Sequence, residues 1–129
     1  MSGWIVSNGS IDVNGEEVHS GLYSVHGTSG GDESEGEPAV TFHRVFSLTG
    51  YTTWIEAGLG VATYEGWLHN GNSEYYRYIV RFYDDNDVRL SNYDTGWIRD
   101  AGGGYHQHGE TRTIPVNAAY VRVEAQMKR

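Results

Sequence analysis

The chain has 129 residues, no cysteine, and 17 acidic against 9 basic side chains, for a formal net charge of −8. That length is enough for one domain with its own core and no metal or disulfide support, and thiol chemistry is excluded. The acidic balance argues against nucleic acid or an anionic membrane as partner, because phosphate binding needs clustered Lys and Arg. No apolar run approaches the roughly 18 residues needed to cross a bilayer, so no membrane insertion is expected. The chain reads as a cytosolic protein or a domain of a longer exported one, with the exported setting slightly favoured.

Eighteen glycines and recurrent SG, NG and GG pairs break every candidate helical window. What remains is a series of short alternating runs at 4–6, 11–13, 22–26, 39–48, 53–63, 75–83, 88–90, 97–99, 110–114 and 119–127. About eight to ten strands at this spacing predict an all-β fold, an antiparallel β-sandwich of jelly-roll type over 1–129 as a single domain, with no substantial helix. Asn14-Gly15 and Asn70-Gly71 are expected tight turns, since Asn and Gly tolerate positive φ. The Gly- and Asp/Glu-rich stretches 28–38 and 100–109 read as mobile loops, the first as an acidic one.

Two segments carry the clearest pattern. In 75–90 (YYRYIVRFYDDNDVRL), Tyr78, Val80 and Phe82 alternate with Arg77, Arg81 and Tyr83. In 113–125 (TIPVNAAYVRVEA), Ala119, Val121 and Val123 alternate with Tyr120, Arg122 and Glu124. A period of two puts one set in a core and leaves the other, rich in Tyr, Arg and Glu, on the opposite face. In 54–64 the same parity assigns Ile55, Ala57, Leu59 and Val61 to the core. It leaves Trp54, Glu56, Gly58, Gly60, Ala62 and Tyr64 as a trough with little bulk at its centre. If the three strands are neighbours, Arg77, Arg81, Tyr83, Arg122 and Glu124 flank that trough. Aromatic rings stack on the apolar face of a pyranose while Arg and Glu bond its vicinal hydroxyls, so the set suits a sugar. A solvated ladder of Glu–Arg pairs is the other reading of the same residues.

The loop rim offers a second location, with Trp67 and Tyr105 as its stacking residues. Asp84, Asp85 and Asp87, around Asn86, form either an acidic hairpin tip or part of a calcium site. Calcium is the one cofactor the sequence brings forward. His106 and His108 fall on one side of an extended segment without an evident third ligand. Glu56 and Glu124 could form an acid/base pair across a cleft, which would make the chain a small glycosidase or lyase. No Ser-His-Asp set, phosphate loop or nucleotide fingerprint stands out.

Several motifs together carry a family resemblance. A GW near the start is followed by 19–25 (HSGLYSV), 42–48 (FHRVFSL), the FYDDNDVRL hairpin and a closing IPVNAAYVRVEA strand. In this order they resemble the galactose-binding-domain-like jelly rolls, a group that includes carbohydrate-binding modules and bacterial lectin-like domains. The resemblance spans nearly the whole chain and implies a jelly roll whose ligands often sit at loop tips. The acidic residue usual at the start of the first strand falls where this chain begins, so the calcium site often found there is in doubt. The expectation is non-catalytic carbohydrate binding, as a lectin or carbohydrate-binding module, with or without calcium. A glycosidase using Glu56 and Glu124 and a protein-interaction or structural domain are the alternatives. The sequence leaves the sugar and the oligomeric state open.

Overall fold

The computed structural model describes residues 4–8, 10–14, 24–29, 40–68, 75–99 and 104–128. The described strands are β1 (Ile5–Asn8), β2 (Ser10–Asn14), β3 (Ser24–Ser29), β4 (Val40–Ser47), β5 (Val61–Leu68), β6 (Tyr75–Tyr83), β7 (Arg89–Asp94), β8 (His106–Thr113) and β9 (Tyr120–Lys128). A five-stranded sheet runs β1-β4-β9-β6-β7, and two further pairs are β2-β3 and β5-β8, all antiparallel. The pairs β4–β9, β5–β8 and β6–β7 are nested one inside the other, which is how a long antiparallel ribbon wraps into a jelly roll. The chain is thus an all-β antiparallel sandwich. The turn signals at Gly15 and at Asn70-Gly71, the 19–23 part of the HSGLYSV motif and the acidic stretch 30–38 lie outside the described residues.

The alternation in 75–83 dictates which face of the large sheet is interior. Tyr78, Val80 and Phe82 are 5, 1 and 1 % exposed and form one cluster with Ile55, Ile114 and Ala118. Val121 and Val123 of β9 join them, as do Ala62, Tyr64 and Leu68 of β5, which lies across this face with β8. A smaller cluster continues along the sheet, with Val40 and Phe42 packed by Trp4, Ala125 and Met127. Trp4 meets Phe42 edge to face, 5.3 Å between ring centroids, the arrangement ring quadrupoles favour. At Gly109, opposite Glu65, a Cβ would fall 2.0 Å from the Tyr64 carbonyl oxygen, so only glycine lets the two strands close there.

The segment 53–63 departs from expectation. Residues Thr52–Glu56 form a short helix, α1, after a 3-10 turn over Thr49–Tyr51. Only Ile55 of that helix is buried, and Leu59 and Val61 are 65 and 62 % exposed. Once 52–56 coils, the parity counted from Ile55 no longer applies, and in β5 it is Ala62 and Tyr64 that face the core. Segment 97–99 contributes only an isolated bridge, Tyr76↔Ile98, and part of the expected loop 100–109 is strand from His106 onward.

Phe82→Ala should lower the unfolding free energy by about 3–5 kcal/mol through loss of burial and the cavity left behind. Val61→Thr should change it by less than about 0.5 kcal/mol, because that side chain is already in water. Urea denaturation of both variants checks the revised parity; comparable losses would refute it.

Candidate functional site

The face of the five-stranded sheet turned away from the core gathers polar side chains from four strands. In register, Arg81 lies opposite Arg122, Tyr83 opposite Tyr120, Ile79 opposite Glu124 and Arg77 opposite Gln126. On the outer sides, His43 and Val45 of β4 lie opposite Glu124 and Arg122, while Asn92 and Asp94 of β7 lie opposite Arg81 and Ile79. Directly opposed residues project to the same face. Arg77, Arg81, Tyr83, Arg122 and Glu124 are therefore brought together as expected, but beside β4 and β7 instead of the 54–64 segment.

The groups form a linked network. The Arg77 guanidinium clamps Asp94 through two bonds, Nε to Oδ1 at 2.8 Å and Nη2 to Oδ2. That clamp holds the Asp94 carboxyl below its ordinary value and raises Arg77. Arg122 Nη2 donates to Glu124 Oε1 at 2.7 Å, and Gln126 Nε2 donates to Glu124 Oε2 at 2.7 Å. Arg122 also donates to His43 Nδ1 at 3.3 Å. An arginine only donates, so this ring nitrogen accepts and His43 is neutral. Partial burial and the adjacent Arg122 charge push the His43 pKa down, against a smaller opposing pull from Glu124. Arg81 Nε donates to the neutral Asn92 Oδ1 at 2.9 Å.

Exposure rises steeply along this face. Thr41 and Glu124 are 8 and 7 % exposed, whereas Val45 is 46 % exposed. At the open end lies a pocket of about 450 Å³ lined by Val45, Ser47, Tyr83, Asp87, Ala119, Tyr120 and Arg122. Its walls are fixed by aromatic and loop contacts. The Tyr83 and Tyr120 rings stack nearly parallel, 5.0 Å apart with 11° between planes. The Tyr120 hydroxyl donates to Asp87 Oδ1 at 2.7 Å, which pushes its pKa up to about 12. Asp87 adopts a left-handed φ of 63°, and Asp84 Oδ1 accepts from the Asn86 and Val88 amides at 2.9 Å each. These bonds explain the acidic tip as a turn whose residues position Tyr120. Among the described residues no three His, Asp or Glu side chains converge as a metal-ion set.

At the other end of the face the aromatic surfaces already carry cations. Lys128 Nζ lies 4.5 Å from the Trp97 ring centre and 5.5 Å from that of Tyr75. The Arg77 guanidinium lies 5.8 Å from Trp97. Among the described residues of this face, the Tyr83–Tyr120 pair carries no such cation and leaves an aromatic platform at the pocket.

Other expected residues lie elsewhere. Trp54 is 62 % exposed on α1, and Glu56 ends the same helix, which packs by Ile55 on the core side. Glu124 projects from the opposite face of the sheet, so the two carboxylates share no cleft. Nor is Glu124 an exposed group, because it is 7 % exposed and each of its oxygens already accepts a hydrogen bond, from Arg122 and from Gln126. Tyr64 faces the core, packed on Tyr93 and Phe82 with its hydroxyl donating to Glu110; burial first, and that bond second, raise its pKa. Trp67 and Tyr105 belong to the β5–β8 layer, on the far side of the core from Arg122. His106 and His108 do share a side, the inner one, where His108 Nε2 bonds the Tyr76 hydroxyl at 2.8 Å. The sequence reading missed His43, Asp94, Asn92, Tyr120 and Gln126 as members of the network. The parity rule already placed Tyr120 beside Arg122, but Asp94 and His43 needed the strand order. No family model matches the chain, and no curated protein matches it. No helix among the described residues is long and apolar enough to cross a membrane.

Acid should weaken the fold in two steps. The folded state keeps His43 neutral, so its contribution is present above about pH 6.5 and is lost as pH falls below that value. Asp94 contributes above its ordinary pKa near 3.8 and loses that contribution as pH drops through its depressed folded value. Urea midpoints between pH 2.5 and 8 should show both segments. Asp94→Asn should abolish the lower one and reduce stability by about 1–2 kcal/mol at neutral pH. An unchanged acid profile would mean that the clamp contributes nothing.

Proposed function

We propose that the protein binds carbohydrate without catalysis, at the open end of the polar sheet face. The observation that carries this reading is the pocket itself. Its volume lies within the range of small-molecule sites, and it is lined by an open tyrosine pair beside a held guanidinium and carboxylate. A tyrosine face suits the C–H face of a pyranose, and Arg122, Asp87 and Ser47 supply donors and acceptors for hydroxyls. Most of these groups are already anchored by hydrogen bonds, so little ordering entropy opposes binding. The resemblance to galactose-binding-like jelly rolls supports the same assignment. The separation of Glu56 from Glu124 by the sheet favours binding over a glycosidase or lyase that uses those two groups.

A protein-interaction role is the second reading, and it rests on a different surface. Tyr51, Trp54, Leu59 and Val61, close in sequence, are 60, 62, 65 and 62 % exposed. Under that reading Trp54→Ala abolishes association with a partner, while glycan binding is undetectable.

A glycan array with calcium and again with chelator, followed by calorimetry on the best ligand, tests the proposal. Selective binding is expected, weakened about tenfold or more in Tyr120→Ala and Tyr83→Ala and unaffected by Trp67→Ala. Loss on chelation would add calcium to the site and turn attention to Asp84, Asp85 and Asp87. No binding on either array, or full affinity in both tyrosine variants, would reject the assignment.

A further inference from the structure

Resting on that reading of the site, we infer that the preferred ligand is an acidic saccharide whose anionic substituent lies between Arg81 and Arg122. The first observation is the register. Arg81 and Arg122 are directly opposite each other on adjacent strands and project to the same face. Like charges directly opposite destabilise a sheet, so the free protein holds an unfavourable pair that an anion would relieve.

The second observation is the distribution of counter-charge. Arg77, Arg81, Arg89, Arg122 and Lys128, five of the chain's nine Lys and Arg, sit on this face of β6, β7 and β9. The same rows hold two carboxylates, Asp94 and Glu124, and a third, Asp87, lines the pocket from the adjoining turn, where it accepts from the Tyr120 hydroxyl. Asp94 is clamped by Arg77, and Glu124 is shared by Arg122 and Gln126. Arg81 has the neutral Asn92 as its hydrogen-bond partner, and feels Asp94 only at a distance, without an ion pair to it among the described residues. Arg122 is paired with Glu124 through Nη2 alone, and its side chain is 35 % exposed at the pocket. A chain of net charge −8 therefore keeps a locally cationic strip beside its pocket.

Both guanidiniums are planar forks matched to oxyanions that offer two or three oxygens. The carboxylate of a uronic acid and a sulfate ester are two sugar substituents with that chemistry. Tyr83 and Tyr120 follow Arg81 and precede Arg122 by two positions on the same face, so the sugar ring and its anion would occupy adjacent places. The net negative charge of the chain works against indiscriminate polyanion binding and leaves the local match to select the ligand.

Calorimetry with two matched pairs tests this inference: oligogalacturonate against its methyl ester, and a sulfated galactan oligosaccharide against its desulfated form. One acidic member is expected to bind about tenfold or more tightly than its neutral counterpart, with the preference shrinking as salt rises. The responding pair separates carboxylate from sulfate. Arg81→Gln should abolish the preference, whereas Arg44→Gln, on the core-side face of β4, should keep it. The melting temperature of free Arg81→Gln at low salt should equal or exceed that of the parent, because a repulsion has been removed, which separates lost recognition from lost folding. Equal affinity for acidic and neutral members, or a preference that survives Arg81→Gln, overturns the inference while leaving the carbohydrate assignment standing. Absence of binding to all four, with neutral glycans bound on the array, overturns the inference alone; absence of binding on the array as well overturns both.

Discussion

Everything in this molecule hangs on the pairing of β6 with β9. Nine consecutive residues of each strand are in register, from Tyr75↔Lys128 to Tyr83↔Tyr120, without a bulge. Because side chains alternate with a period of two, that unbroken register sorts eighteen residues into two coherent rows. Tyr78, Val80, Phe82, Val121 and Val123 fall in the core row, and Arg77, Arg81, Arg122 and Glu124 in the polar one. A slip of one residue would exchange the rows in one strand and place arginines against Ile55 and Ile114. Register is thus enforced from both sides at once, by burial on one face and by charge on the other.

The polar face is made compatible with folding by saturating its most buried member. Glu124 is 7 % exposed and, as a carboxylate, would be costly there without partners. Arg122 and Gln126 each satisfy one of its oxygens from the same strand, two residues on either side. The extended backbone makes this possible, because residues i and i+2 share a face. Asp94 is handled differently, by a bidentate arginine from the neighbouring strand and by the Gly96 amide at 2.8 Å. Both arrangements fix the rotamers of long side chains that would otherwise sweep the surface. The pocket inherits that rigidity through Arg122.

Much of this was legible from the sequence because period two survives wherever a strand is long and regular. The rows of β6 and β9 were readable residue by residue, and so was the all-β character, since glycine leaves no room for helices. The 53–63 segment misled because apolar residues at alternate positions can arise without a strand. Ile55 is buried by a single helical turn, while Leu59 and Val61 face water. The face of Tyr64 was lost with it, since parity propagates an error of origin through the whole strand. Strand order was beyond reach for another reason. Pairings such as His43↔Glu124 join residues some eighty positions apart, and nothing local records them. Hence Tyr120 could be placed beside Arg122, but His43 and Asp94 could not be placed beside Glu124 and Arg77.

A solvated ladder of opposite charges would have been the simplest use of such a face, and the register argues against it. In a ladder, acids face bases across the strand boundary, where each pair contributes a few tenths of a kcal/mol to about one. Here the directly opposed pairs are Arg81↔Arg122, Tyr83↔Tyr120, Ile79↔Glu124 and Arg77↔Gln126, none of them an acid facing a base. His43↔Glu124 would become such a pair only on protonation, the form that burial and Arg122 disfavour. The ion pairs that do form run along β9 or diagonally from β6 to β7, where they orient side chains more than they join strands. A sheet that needed charge only for pairing would put it opposite its complement. This one places two arginines directly opposite each other beside an aromatic pocket, one held by Asn92 and the other by Glu124.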